Sequence, residues 1–472
     1  MTASTELVAS VEIAHEARSE RIPPGTGNGP VLRVVAGDAV RVAALIGKDP
    51  ELARAAARGT LAGGADLVAL VGTHDGRDLI ERATLLREAR PDLVLVLAGS
   101  GGDTNGLIDA AEAMRFGCAH QHPVPHVLVS ADERARERIA AACAPSAVEA
   151  LPDARIDAGH EALVARLRAV RRRAQSDVVL RDEALEAAAR GLAARHKSDV
   201  VLIDVTGGAT SVIHAAADGT VGGIHLRLGV GAAADRVVAR AGLDRVRRWF
   251  PRAIEAPALL ERVFNRALWP DAVPAAVLSL SLEMALAREV IAHALEEASR
   301  ADVALAPLRA APRLVLTGRL AVLPRAAQSL LVALDGLEPS GTTLVSRAAD
   351  DALVVAGALA SRGRAIPSPS PEDIALVVSL WPKRSAAVRI SDANGSVEER
   401  VARGQLTLVP TKGAVEVAVQ GSSARPRAEA LGLGVVIDAR GRPLALPPRD
   451  ADRIPTLARW HSALDALPPE GR

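Results

Sequence analysis

From Val31 onward the chain alternates short aliphatic runs with alanine-rich segments of helical period, and this alternation narrows the folds open to it. Val31 to Val35 reads as a strand. Pro50 to Gly59 reads as a helix, opened by a proline that needs no amide partner there and stopped by a glycine. Leu67 to Val71 is a strand and Leu79 to Arg90 a helix. Leu93 to Ala98 is an unbroken apolar run of the kind buried on both faces of a parallel sheet. Helix Leu107 to Met114 and strand His126 to Val129 continue the pattern. Strands and helices at this spacing predict α/β layering around a mainly parallel sheet.

The chain has 472 residues, enough for about two to four domains with sizeable cores. Its hydrophobic share is 49%, yet aromatics are only 1% with no Tyr, so Ala, Val and Leu must fill those cores. Lys+Arg 57 against Asp+Glu 56 gives no global attraction for nucleic acid, and so few rings leave little for base stacking. No apolar run reaches membrane-spanning length, and the first twenty residues carry acids where a signal peptide carries a basic end and an apolar run. Cys118 and Cys143 form neither a disulfide framework nor a C-x-x-C site, which suits reduced residues of a cytoplasmic protein. Cys118, His120, His122 and His126 lie close together, but Pro123 and Pro125 favour an exposed connection over a four-ligand metal site.

Val200 to His214 holds the densest local signal. Val200 to Ile203 lead into Asp204, a Thr206–Ala209 turn with the glycine pair Gly207 and Gly208 follows, and Thr210 to His214 return as a second strand. Glycines let backbone approach a ligand, and successive amides can cradle an anion; the same residues also make an ordinary hairpin turn. The loop Gly99 to Gly106 follows the strand at Leu93 to Ala98, on the edge where such sheets bind ligands, but it lacks a P-loop lysine. Arg168, Arg171, Arg172 and Arg173 close a helix over Asp157 to Arg173 and read as a solvated basic face. A helix over Leu278 to Arg300 is expected to bury Leu282, Ala285, Val290 and Ala294 and to keep Glu283, Arg288 and Glu297 wet.

Composition shifts divide the chain into 1–30, an atypical proline-rich segment; 31–175, a first α/β unit; 176–362, a second; and 363–472, a β-rich piece with a terminal helix. In that last piece Ile374 to Leu380, Ala386 to Ile390, Gln405 to Val409 and Val415 to Val419 are short strands separated by turn residues.

Asp204 to His214 resembles the second phosphate motif of the actin/sugar-kinase/Hsp70 ATPase superfamily. It is most similar to the D-[IV]-G-G-A-T-T-D-V-H signature of MutL-like glutamate mutase accessory proteins. Leu93 to Gly106, Glu283 to Ala294, Leu314 to Pro324 and Val436 to Leu444 (VIDARGRPL) resemble further stretches of that family in the same order. The resemblance implies two actin-like (ribonuclease H-like) α/β units, the first incomplete, with a nucleotide between them. It makes Asp204 catalytic, positioning a metal-bound water. Thr206, Gly207, Gly208, Ala209 and Thr210 would meet phosphate, and Thr317 and Gly318 the adenosine. ATP and Mg²⁺ are the implied cofactors, with cobalamin reached only through a partner. That partner would be an adenosylcobalamin-dependent mutase subunit or another accessory protein, and the role protective or reactivating.

The chain departs from this pattern at several points. Residues 1–30 contain no Asp and no D-x-G-S-T hairpin. With Asp204 matched to the family's first acid, Thr206 stands where a glycine belongs and Ser211 where the second acid belongs. Gly223 to Gly229 (GIHLRLG) offers His225 and Arg227 but no acid, and Arg319 follows Gly318 where a second glycine is usual. These losses predict weak or absent ATP hydrolysis, or a nucleotide-free scaffold. A small-molecule kinase would have only Asp103 or Asp204 for its base. Exchange of Asp204 for Asn is expected at this level to spare folding and abolish any hydrolysis.

Overall fold

The computed structural model describes residues 10–14, 19–22, 31–99, 103–173, 175–274, 276–364, 369–420, 423–429 and 431–467. The α/β class holds: helices and strands alternate through most of the chain, around sheets of four, five, eight and four strands. None of the described helices is long and apolar enough to cross a membrane.

The eight-stranded sheet is central. Its order is Val221–Leu226, Thr210–Ala215, Val200–Val205, Arg313–Gly318, Gly341–Arg347, Glu372–Ser379, Gly434–Asp438 and Leu406–Val409. The first three strands form an antiparallel meander, and Arg313–Gly318 and Gly341–Arg347 then run parallel to Val200–Val205. Val200–Val205 is buried along its whole length because it is covered on both faces. Val201, Ile203 and Val205 meet the core beneath helices Val277–Arg300 and Ala326–Gly336. Val200 and Leu202 meet helices Arg181–His196 and Ala352–Ala360 on the other face.

The strand expected over Ile374 to Leu380 forms over Glu372–Ser379 and pairs antiparallel with Gly341–Arg347, so the C-terminal strands extend the central sheet instead of standing apart. Only Ser385–Asp392, Gly395–Ala402, Val415–Val419 and Arg427–Ala428 form a sheet of their own. The proline-rich stretch after Ser361 looks like a linker in sequence, and the register across it is set by sheet pairing that composition does not encode.

A smaller sheet orders Ser19–Ile22, Ser10–Ala14, Val31–Val35 and Val178–Leu180. Its hairpin lies in the segment read as atypical; the bend of that hairpin and residues 23–30 lie outside the described residues. Ser10–Ala14 and Val178–Leu180 both run parallel to Val31–Val35. Between its last two strands the chain inserts a five-stranded parallel sheet with order Asp66–Gly72, Arg41–Ile46, Leu93–Leu97, His126–Ser130 and Val148–Ala150. Arg41–Ile46, which sequence reading passes over, is one of its three interior strands. Leu93–Leu97 is buried throughout, as its unbroken apolar run predicts.

With few aromatics, the helices pack by close approach of small residues. Arg181–His196 presents Ala184, Ala188, Ala189 and Ala193 toward Ala352–Ala360. A Cβ on Gly357 would strike the backbone carbonyl of Ala184. The expected wet residues of Val277–Arg300 behave differently: Glu283 and Arg288 are buried, and Glu297 is half-buried. Helical period places them inward, and partners make that tolerable. Glu283 pairs with Arg319 at 2.7 Å and Arg266 at 2.9 Å, and Arg288 with Asp335 at 2.7 Å. Asp335 also binds Arg440, which clasps Asp438 through two nitrogens at 3.0 and 2.9 Å, and Arg442 reaches Asp438 at 2.6 Å. Burial alone would raise the Asp438 pKa, but Arg440 and Arg442 outweigh it and hold the carboxyl at about 2.

Beside this network His461 is buried, with neither ring nitrogen hydrogen-bonded. Burial, reinforced by the Arg288 and Arg440 charges, pulls its pKa down to about 3. The unfolded chain binds that proton near pH ~6.5, so His461 contributes stability that is whole above that pH. The contribution fades as pH falls toward the folded value, by up to ~1.4 kcal/mol per pH unit. His461→Leu should therefore unfold with a smaller loss of stability between pH 6.5 and pH 5 than the unsubstituted protein, in urea titrations at both values. Gly357→Ala gives a second expectation. Helix propensity favours Ala by roughly 1 kcal/mol. The clash with Ala184 should reverse that sign, for a net loss of ~1–3 kcal/mol in the same assay.

Candidate functional site

The hairpin forms as its sequence predicts, Val200–Val205 pairing with Thr210–Ala215. At its bend the Thr206 amide donates to the Ala209 carbonyl at 2.8 Å, and the Ala209 amide donates to Thr206 Oγ1 at 2.9 Å. The Gly207 carbonyl accepts from Gly231 at 2.9 Å and Ala233 at 3.1 Å, so the loop after Val221–Leu226 folds down onto the turn. A Cβ on Gly229 would run into the Thr206 and Gly207 backbone. Part of the glycine requirement here is chain packing against chain.

Beside the hairpin lies a cavity of about 700 Å³ between the small four-stranded sheet and the central one. Asp204, Thr206, Gly207, Gly208, Ala209 and Gly318 line it, as the sequence reading expects for a shared site. Two of the expected nucleotide-side residues do not line it. Thr210 is buried with its hydroxyl donating to the Leu228 carbonyl at 2.8 Å, and Thr317 is buried with its hydroxyl unpartnered. Gly318 takes φ of +64°, where a Cβ would press on the Val205 carbonyl and on Asp204 Oδ1. Its lack of a side chain serves the close seating of the two strand ends. Arg319 also lines the cavity, its guanidinium held by Glu283 and by the Pro270 and Ala272 carbonyls.

Asp204 is already engaged. Arg181, the first residue of helix Arg181–His196, reaches both carboxylate oxygens at 2.9 and 3.0 Å and also holds Asp351 at 2.9 Å. Burial opposes the Arg181 charge, but the two carboxylates outweigh it and raise its pKa. Sequence reading missed this cation because Arg181 lies 23 residues before its partner. The basic run before it is also inward in part. Arg171 is buried against Asp182, Arg168 pairs with Glu186 at 2.6 Å and Arg172 with Glu183, so only part of the expected solvated face is wet.

Strand register adds a feature that no local motif shows. Ser211 lies opposite Asp204, His225 opposite Ser211, and Thr317 beside Asp204, so four polar side chains form one row across four strands. The helix above supplies Arg181, Asp182 and Glu186 to the same face. Ser211 Oγ lies 2.9 Å from His225 Nδ1, and His225 Nε2 lies 2.9 Å from Glu186. Arg227 reaches the cavity with one nitrogen on the Gly37 carbonyl and no carboxylate partner among the described residues. Burial and the neighbouring Arg171 charge pull its pKa down.

No protein-family model matches the chain, and no curated protein matches it. The site's own geometry carries the functional argument.

The other candidates scatter. Asp103 caps helix Thr104–Gly117 by accepting from Gly106, on the separate five-stranded sheet. Cys118 is buried, which pushes its thiol up to about 11, while His120 and His122 are exposed and His126 meets Glu149 and Arg166. Among the described residues no group of three or more His, Cys, Asp or Glu could hold a metal ion.

The bidentate pair gives Asp204 a structural role beside the catalytic one expected of it. Arg181→Met should cost ~3–5 kcal/mol, since it leaves a buried carboxylate unpaired. Combining it with Asp204→Asn should cost less than the sum of the single changes. Denaturant unfolding of the four proteins in this cycle measures the coupling.

Proposed function

We propose that the chain is a cytoplasmic accessory protein on an actin-like scaffold that does not hydrolyse ATP and works through protein contacts. Its partner would be an adenosylcobalamin-dependent mutase subunit or another accessory protein. The observation that carries the loss of hydrolysis is the Arg181 guanidinium on both oxygens of Asp204. A hydrated Mg²⁺ needs carboxylate or phosphate oxygens in near-octahedral array. Here the one acid that the resemblance makes catalytic is neutralised by a cation built into the chain. The residues present do not fit the metal.

Two features support the scaffold part of this reading. The central sheet begins as an antiparallel meander and continues with two strands parallel to its first. The small sheet repeats part of that plan: a hairpin, then two strands parallel to its first. The cavity is lined from both, with Val35 and Gly37 on one side and Asp204 and Gly208 on the other. That is where a two-unit ATPase fold would hold its nucleotide. The mutase as partner rests on the ordered resemblance of the hairpin, Leu314 to Pro324 and Val436 to Leu444 alone.

Calorimetric titration with ATP and Mg²⁺, together with a phosphate-release assay, tests the reading. The expected result is no release above a buffer blank and no gain in ATP affinity on adding Mg²⁺. Sustained turnover that Asp204→Asn removes while the protein stays folded would overturn it. The mutase part is tested separately, by co-purification with an adenosylcobalamin-dependent mutase subunit.

A further inference from the structure

Beside the Asp204–Arg181 pair the cavity holds a second hydrogen-bonded chain. Ser211 and His225 are both buried residues that line the cavity. Their side chains lie 2.9 Å apart, and the far ring nitrogen of His225 lies 2.9 Å from Glu186 Oε1. A nucleophile, a base and a group that orients the base within hydrogen-bond reach of one another are the minimum for nucleophilic acyl transfer.

The tautomer follows from the partners. Arg168 at 2.6 Å and His225 together keep Glu186 ionised, against the burial that would raise its pKa. An ionised carboxylate only accepts, so Nε2 of neutral His225 carries the ring proton. Nδ1 is then left as acceptor for the Ser211 hydroxyl. The contact also needs Gly223: a Cβ there would collide with His225 Nε2 and lie 2.7 Å from Glu186 Oε1. The sequence keeps a bare backbone where this pair must meet.

Two further groups sit on the same cavity. Among the described residues the amides of Gly207 and Gly208 donate to no protein acceptor, and both residues line the wall that carries Ser211. Such amides are the usual donors to a developing oxyanion. Arg227, two residues beyond His225, brings a guanidinium that makes no direct ion pair among the described residues. It suits a substrate carrying a carboxylate.

We propose that Ser211, His225 and Glu186 form a serine-hydrolase relay acting on small carboxylic esters that bear a second, anionic group. Ser211 Oγ attacks the ester carbonyl carbon as its proton passes to His225 Nδ1. The tetrahedral intermediate collapses with cleavage of the carbon–oxygen bond to the alcohol, which leaves with that proton. Water then attacks the acyl-serine, gives a proton to Nδ1, and the carbon–Oγ bond breaks as that proton returns to Ser211. The sum is ester plus water giving acid plus alcohol. Ser211 and His225 are the catalytic residues, Glu186 a positioning residue, and Arg227 the specificity residue.

The full chain treated with a fluorophosphonate reagent should gain one adduct, which peptide mass spectrometry places on Ser211. Ser211→Ala should remove it. His225→Asn, with circular dichroism unchanged, should slow labelling at least tenfold. The mono-4-nitrophenyl ester of succinate should be hydrolysed faster than 4-nitrophenyl acetate, and Arg227→Met should remove that preference. Glu186→Gln should lower kcat for the succinate ester, counted per site that fluorophosphonate titrates, with KM little changed; counting per titrated site removes any loss of folded protein from the comparison. No adduct on Ser211 in the folded, unsubstituted protein overturns the proposal, as does labelling that His225→Asn leaves unchanged. These outcomes are independent of whether ATP is bound or hydrolysed.

Discussion

The clasp of Arg181 on Asp204 and Asp351 sets the character of the central cavity. It ties the first turn of helix Arg181–His196 to the end of the innermost strand and to the loop after Gly341–Arg347. A guanidinium can do this because its planar fork matches both oxygens of a carboxylate. The cost of burying the charges is offset only while the fork is complete, so the helix start, the strand end and that loop hold one geometry. A metal ion in the same place could come and go, whereas Arg181 is part of the chain. That difference makes the end of the hairpin a fixed floor.

The same device recurs wherever a larger aromatic core would otherwise be expected. Only four of the chain's cations are lysine (Lys48, Lys197, Lys383 and Lys412), so nearly all its positive charge has arginine's geometry. Arg288 and Arg440 lie inside the protein between Asp335 and Asp438 and face the rings of Trp249 and Trp460 at 5.1 and 4.7 Å. Arg440 thereby joins the end of Gly434–Asp438 to helices Ala326–Gly336 and Asp450–Ala463. In a chain built from Ala, Val and Leu, buried arginine supplies both volume and direction. Small-residue packing, with Gly357 against Ala184, fills the remaining space.

Much of the fold was legible because period and composition act locally. Leu93–Leu97 and Val200–Val205 are buried strands on the strength of unbroken apolar runs, and Pro50 opens a helix through a backbone rule that needs no tertiary partner, although that helix runs past the expected stop at Gly59 to Gly63. Arg41–Ile46 was not legible: RVAALI fits helix and strand alike, and neighbours on both sides decide. The charged residues of Val277–Arg300 misled for a related reason. Glu283 and Arg288 look wet by type and are buried by pairing with residues 36 and 47 positions away. Of the candidate site, the hairpin and its glycines could be read directly; Thr210 and Thr317 could not be separated from the lining residues, since only the packing of neighbouring segments buries them.

The sequence by itself determined the α/β class, the hairpin with Asp204 at its bend, and which acids are missing from the phosphate-type pattern, because each of these is written in adjacent residues. Tertiary structure alone decided what occupies Asp204 and what stands beside it. Arg181 comes from the helix before the hairpin, His225 from the next strand in register, and Glu186 from one helical turn beyond Arg181. Cross-strand register and helix placement depend on the packing of the whole sheet, and a one-residue slip would turn Ser211 and His225 to the opposite face. The chemistry of the cavity is therefore a property of the assembled layers, while its backbone is a property of the local sequence.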